Sequence, residues 1–303
     1  MREVLPSVHL LEIFMPYLYY ESMMLETIRR VVDKDYYRGL EIPIFSNTTA
    51  QNEIRSILKQ NALCGTAYST PYMDRKNYNL SSMNKELRTT SIDYVLKLLD
   101  RANKMGLSYV GLPSGPDPGV ESREECKELL LDSFYILSKR AADYGISILL
   151  EPLDRYAHKK KLLGPMDESC QWLTQLRTMV SNVFIHWDSA HEALGEMDIF
   201  QSLVVAAPYL ARIHLSNAIL QRDHPCFGDL HMDVGEPPTF QTDGFLDVSL
   251  GGQIVKEATR LCDGGTDKLY VSVEVLGHPG DDLWHKEYCS HMFLMECMGR
   301  AGL

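Results

Sequence analysis

The sequence predicts one α/β domain over residues 1–303, folded as a closed barrel of eight parallel strands, each followed by a helix. Three observations lead there. Short apolar runs alternate with segments of helical periodicity along the whole chain, with no linker or low-complexity stretch between them. Four consecutive runs end in, or carry, a side chain able to bind a metal ion: Glu151, Asp188, His214 and Glu274. No glycine-rich phosphate fingerprint follows the first run, which removes the main signature of an open doubly wound sheet. A length of 303 residues suits a single barrel.

Taken in order, SVHLLEIF (7–14) is the first expected strand, and Tyr17 to Val32 the first helix, with Leu18, Met23, Ile28 and Val32 loosely periodic. GLEIPIF (39–45) is the second strand, Ala50 to Gln60 the second helix, and LCGTAYST (63–70) the third strand, opening into PYMDRKNYN at the mouth. A long helix over 82–104 carries Ile92, Val95, Leu96 and Leu99 on one face and stops at Gly106. After the fourth strand, SYVGLPSG, Ser122 and Glu125 form a capping-box pattern before a stripe of Leu130, Phe134, Leu137 and Ala141 that ends at Gly145.

The fifth strand lies in ISILLEPLDRY (146–156), where an apolar run delivers Glu151 onto a Pro-containing turn. Asp167 is expected to cap a helix through Cys170, Trp172, Leu173 and Leu176, leading to strand six at Val183 to Trp187. There follow a helix from Ile199 to Leu210, strand seven from Ala211 to Leu215, a helix over 250–262, strand eight from Leu269 to Val275, and a closing helix from Trp284 to Met298. The connection after strand seven, residues 216–248, far exceeds the usual two to six residues or so. It is expected to lie over the mouth and to serve function.

Composition excludes several classes. A hydrophobic fraction of 45% against 23% charged residues supports a large core, and a net charge of -11 has the wrong sign for a nucleic-acid backbone. No apolar run approaches the roughly 18 residues that span a bilayer. Glu3, Glu12, Glu21 and Glu26 interrupt the first thirty residues, so no export signal is expected and the protein is placed in the cytoplasm. Seven cysteines without C-x-x-C spacing read as reduced thiols rather than a zinc-cysteine site. The 14 Met and 16 Tyr exceed what one core needs, so a homo- or hetero-oligomer is expected.

A carboxylate set among Leu149, Leu150 and Leu153, or among Val271, Val273 and Val275, must be compensated. One divalent ion shared by Glu151, Asp188, His214 and Glu274 achieves this. Three carboxylates and one imidazole suit Mn²⁺ first, with Co²⁺, Mg²⁺ or Zn²⁺ as alternatives. An ion there leaves Glu151 and Glu274, on different strands, as the expected acid/base pair. His191, three residues past Asp188, is expected to touch substrate, as are His231 in FGDLHMDVGEPP (227–238), Arg222 and Arg155. His186 is expected to be an ordinary core histidine.

At EPLDRY, DSAH, HLS and the glutamate of the last strand, the chain resembles the sugar isomerase and epimerase superfamily with a xylose-isomerase-like TIM barrel. That superfamily includes ketose 3-epimerases, inosose dehydratases and type IV apurinic endonucleases. The resemblance implies an enzyme acting on a ketose or keto-sugar through a metal-stabilised enediolate, with the four residues as ligands and His191 on the substrate. Its partner would be a small sugar or sugar conjugate. The alternatives are a lyase using the same enediolate (inosose dehydration, or cleavage of a keto-C-glycoside), the endonuclease, and a non-catalytic metal-binding subunit. The endonuclease needs a trinuclear zinc site with further histidines and a basic groove, which the acidic sequence does not offer. Ketose 3-epimerases also carry a substrate-binding Glu six residues after the first ligand and an Arg six residues after the metal histidine. Here these are Ala157 and Leu220, with Arg222 the expected substitute for the arginine, and room is left for a larger keto-sugar.

Overall fold

The computed structural model describes residues 2–261 and 265–303. Eight parallel strands close into a ring: β1 (Glu3–His9), β2 (Gly39–Glu41), β3 (Cys64–Tyr68), β4 (Tyr109–Leu112), β5 (Ser147–Leu150), β6 (Val183–Asp188), β7 (Leu210–Ile219) and β9 (Lys268–Glu274). The hydrogen-bonded order runs β6-β5-β4-β3-β2-β1-β9-β7, and β7 pairs back onto β6. Between β7 and β9, a short strand β8 (Gly228–Met232) pairs antiparallel with the outer end of β7. The architecture is a single (β/α)8 barrel, as the alternation predicts. Its strands read as near-continuous apolar runs because helices cover the sheet from outside and side chains fill it from inside.

Several boundaries differ from the sequence expectation, each for a local reason. The first strand stops at His9, and Leu10–Ile13 forms a short helix, since a brief apolar run fits either state. β2 is only three residues long; Pro43 two positions on has no N–H to extend the ladder. PYMDRKNYN begins as a helix, Thr70–Asp74, with Pro71 in its first turn. Asn84 caps helix Lys85–Met105 through Oδ1, which accepts from the N–H groups of Glu86 and Leu87, and Gly106 ends it at φ 73°.

Two expected caps do not form. Ser122 makes no side-chain bond to helix Arg123–Asp143. Asp167 lies inside helix Met166–Leu176, behind Pro165 at the cap position. Asp247 caps helix Val248–Arg260 earlier than expected, and Cys262, the expected end of that helix, lies outside the described residues. The six described cysteines are free. Among the described residues, no helix is long and apolar enough to cross a membrane.

β7 organises the barrel interior. Arg212 is buried and reaches across the ring: Nη1 donates to Glu41 Oε1 (2.6 Å) and Ser7 Oγ (3.1 Å), and Nη2 to Thr66 Oγ1 (2.7 Å). Ser272 Oγ also donates to Glu41 Oε1 (2.6 Å). Farther along β7, Asn217 pins the long connection, accepting from Leu246 N (2.9 Å) while its Nδ2 donates to Thr242 Oγ1 (2.9 Å). Gly244 is required there, because a Cβ would stand 2.1 Å from Asn217 Oδ1.

Removing one partner of a buried ion pair strands the other charge, at a cost of about 3–5 kcal/mol. Arg212→Met is therefore expected to lower unfolding free energy by about that amount in urea titrations. A loss below about 1 kcal/mol would show that Glu41 finds its compensation elsewhere.

Candidate metal centre

The four ligand-type residues meet at the C-terminal ends of four strands consecutive in the ring. Glu151 directly follows β5, Asp188 ends β6, His214 lies in β7, and Glu274 ends β9. Strand register sets their level, pairing Asp188 with His214 and Ser216 with Glu274. One ligand atom from each of the four lies within 4.8 Å of those of the other three. Glu151, His214 and Glu274 line a cavity of about 560 Å³, together with His9, Glu12, Tyr68, Lys159, Lys161, His191 and His231.

Neighbouring bonds fix each donor. Asp188 Oδ1 accepts from Ala190 N (2.8 Å) and His191 N (3.0 Å), capping helix Ser189–Leu194, and its Oδ2 meets Ser216 Oγ. Ser216 Oγ is also 2.9 Å from Glu274 Oε2, so one hydroxyl proton stands between two carboxylates and can satisfy only one at a time. His214 Nε2 donates to Glu41 Oε2 at 2.6 Å. Its Nδ1 is buried 3.5 Å from Glu274 Oε2 and makes no hydrogen bond among the described residues. A carboxylate behind one imidazole nitrogen is the usual support for a metal-binding histidine.

The electrostatics show what is missing. Burial, reinforced by the charge of Glu274, pushes the Glu151 carboxyl up to about 8. Burial also raises Asp188, with Glu274 and Asp229 adding to it against the opposing charge of His191. Glu274 is buried too, yet His231 and His214 hold it well below the usual carboxylate range. Two of the three carboxylates thus lack a counter-charge that a divalent ion at their centre could provide, and the donor set fits such an ion.

The expected substrate contacts divide. His191 lines the cavity, with Nδ1 3.4 Å from Asp154 Oδ2 and Nε2 3.7 Å from Asp229 Oδ2. His231 also lines it, from β8, with Nε2 3.0 Å from Asp229 Oδ2 and Nδ1 3.3 Å from Glu274 Oε1. Its backbone sits at φ 50°, a left-handed conformation costing a non-glycine residue on the order of 1 kcal/mol. The two arginines are elsewhere. Arg155 is buried against Glu168 Oε2 (2.6 Å) and the Leu162 carbonyl, because a buried guanidinium must be paired. Arg222 is exposed and pairs with Glu196 (2.6 Å). Neither lines the cavity, so the substrate contacts expected of Arg155 and Arg222 do not fit their placement.

Sequence reasoning also missed residues. Glu41 sits in an apolar run as Glu151 does, and the same signal could have found it. His9 leaves the end of β1, and Glu12 follows on the next turn. Lys159 had no sequence signal; Asp154 turns the chain there by accepting from the N–H groups of Ala157, His158 and Lys159. His186 is a buried core histidine, yet its Nδ1 is 3.5 Å from Glu151 Oε1 and its ring packs edge-on against His214, centroids 3.9 Å apart. The further histidines that the sequence did not promise are therefore present around the site.

Comparison with known proteins agrees with the fold. The profile of the xylose isomerase-like TIM barrel family matches residues 30–247. No curated protein sequence matches the chain. Among solved structures, a D-allulose 3-epimerase from Methylomonas sp. in complex with D-allulose superposes with a TM-score of 0.68 at 17% identity, covering 99% of this chain and 98% of the other. A 3-keto-D-glucoside 4-epimerase from E. coli, in apo form, gives 0.64 at 17%, covering 90% and 94%. The IolI protein with a bound zinc atom gives 0.64 at 14%, covering 99% and 96%. The match over residues 30–247, on a barrel that closes as this one does, places the chain in the xylose isomerase-like TIM barrel family.

Proposed function

We propose that the chain is a divalent-cation-dependent epimerase or isomerase of a keto-sugar, in which Glu151 and Glu274 move a proton at the carbon beside the carbonyl. The observation that carries this reading is the convergence of ligand atoms of Glu151, Asp188, His214 and Glu274 within 4.8 Å of one another. These four would hold the ion, and their oxygen-rich set favours Mn²⁺. An ion held there would supply the Lewis acidity that makes a C–H beside a carbonyl acidic. Glu151 and Glu274 leave strands three positions apart around the ring, and so approach a bound carbon from different sides. One takes the proton and the other returns it, which inverts the centre. Ser216 steadies Asp188 and Glu274 from below. His191, Lys159 and Lys161 supply donors to the sugar hydroxyls that Arg155 and Arg222 do not reach.

The walls refine the substrate. Leu11, Met15, Leu153, Leu230 and Leu276 give the cavity an apolar side, and about 560 Å³ is in the range that encloses a drug-sized ligand, more than one sugar ring fills. We therefore favour a keto-sugar carrying a second ring or apolar substituent over a free ketose. The solved structures named above support the class: one is a 3-epimerase with a bound ketose, another a 3-keto-glucoside epimerase, and a third holds a zinc atom. The same apolar wall supports a second reading, a lyase in which a substituent two carbons from the carbonyl leaves after the proton is taken. An endonuclease fits poorly, because carboxylates neutralise the charge of the cavity lysines, Asp229 that of Lys159 and Asp74 that of Lys161, and leave no net positive charge for a phosphate backbone.

Two outcomes test the proposal. Asparagine caps a helix about as well as aspartate, so Asp188→Asn is expected to keep the fold while weakening divalent-ion affinity by at least about tenfold in chelator competition; wild-type affinity would remove Asp188 from the ligand set. In D₂O, the Mn²⁺-loaded protein is expected to place deuterium beside the carbonyl of a 3-keto-glycoside, read by NMR, and to label free fructose far more slowly. Absence of exchange with every ketose, inosose and keto-glycoside tried would sink the reading.

The wall predicts its own effect. Leu230 is 41% exposed, so truncation forfeits only part of the roughly 2 kcal/mol that burying a leucine side chain is worth. Leu230→Ala should raise KM for the conjugate about fivefold and leave kcat unchanged. An equal KM effect on a free ketose would show that the wall does not contact the substituent.

A further inference from the structure

We infer that His186 is a positioning residue for Glu151: its Nδ1–H donates to Glu151 Oε1, fixes the rotation of that carboxylate, and leaves the other oxygen free. This deepens the proposed function and rests on the role given there to Glu151. Three of the four converging residues are already held by hydrogen bonds. Asp188 accepts from Ala190 N and His191 N, His214 bonds to Glu41, and Glu274 meets Ser216. Glu151 has only one candidate for such support among the described residues, His186, whose Nδ1 lies 3.5 Å from Oε1. A metal-binding carboxylate is normally itself hydrogen-bonded.

The state of His186 is the second observation. It is fully buried, and neither ring nitrogen makes a hydrogen bond among the described residues. An imidazole carries at least one N–H, neutral or charged, and a buried N–H left unpaired is costly. Strand register brings an acceptor to it. Leu150 pairs with Ile185, so Glu151 and His186 come next at the same level of the ring. Alternation along β6 turns His186 to the face that carries Asp188, while Trp187 between them points outward and donates to Ser202 Oγ (2.7 Å). The ring stands beside those of Tyr68 and His214, with centroids 5.3 and 3.9 Å away, and bonds to neither. Glu151 is thus the acceptor within reach. A formed N–H···O bond is shorter than the present gap by about 0.5 Å, a distance that rotation of the Glu151 carboxylate closes.

The test separates the donor from the bulk of the ring. His186→Asn keeps an amide N–H where Nδ1 stands, His186→Gln moves it to the place of Nε2, and His186→Leu removes it. In chelator competition with Mn²⁺, the Leu and Gln variants are expected to bind the ion about 10–100-fold more weakly than wild type, and the Asn variant close to wild type. Deuterium exchange into a 3-keto-glycoside should follow the same order in kcat, with KM unchanged. In the metal-free wild type, ¹⁵N spectra of labelled histidine should show His186 protonated at Nδ1 and unprotonated at Nε2. Wild-type ion affinity in both the Leu and Gln variants would overturn the inference and leave the proposed function standing, as would protonation of His186 at Nε2 alone. Where circular dichroism shows that the Leu variant does not fold, the contrast of Asn with Gln decides, and equal affinities in those two would overturn the inference. A wild type that binds no ion would overturn the proposed function, and this inference with it.

Discussion

The carboxylate of Glu41, sealed inside the barrel, is the constraint on which the rest of the structure depends. Burial opposes its charge, and Arg212 and then His214 more than offset that, holding it well below the usual carboxylate range. Arg212, His214 and Ser216 are alternate residues of β7 and so share one face of the strand. One strand therefore delivers the cation that stabilises the barrel interior, the imidazole at the candidate metal centre, and the hydroxyl between Asp188 and Glu274. A slip of β7 by one residue would turn all three away from the interior together. Barrel closure and site geometry thus follow from a single register.

The fold was legible because alternation of apolar runs with helical stripes survives errors of several residues at each boundary, and a closed ring needs only the count and the order. That four positions of the candidate centre converge was legible for a related reason: a charged or ligand-type side chain at the end of an apolar strand has few places to go. The limits of that signal are also physical. SVHLLEIF read as one strand would set His9 and Glu12 on opposite faces. In the structure the chain turns into a helix at Leu10, and both side chains line the cavity. β8 escaped notice because GDLHM is short and has only Leu230 and Met232 as apolar residues, although it brings Asp229 and His231 to the cavity. Arg155 and Arg222 misled for the opposite reason. A loop arginine looks free to reach a ligand, yet each had a glutamate nearer at hand.

The two departures from the ketose 3-epimerase pattern have a structural meaning. Ala157 packs with Ala190, Leu194 and Ala218 in a small apolar cluster, and Leu220 is 39% exposed at the end of β7. Where those epimerases place a glutamate and an arginine for substrate, this chain has apolar packing on one side and solvent on the other. The directional bonds lost are each worth roughly 1.5–3 kcal/mol when charged, so binding has to come from elsewhere. The available surface is the wall of Leu11, Met15, Leu153, Leu230 and Leu276, set opposite a floor of carboxylates and histidines. A cavity divided in this way suits a ligand divided in the same way, polar where the proton would move and apolar beyond it. The floor belongs to the strand ends, whereas Leu230 belongs to the β8 hairpin, pinned by Asn217 but outside the ring. Substrate size can then change with the hairpin while the four converging donors, held by β7 and Glu41, stay where the barrel puts them.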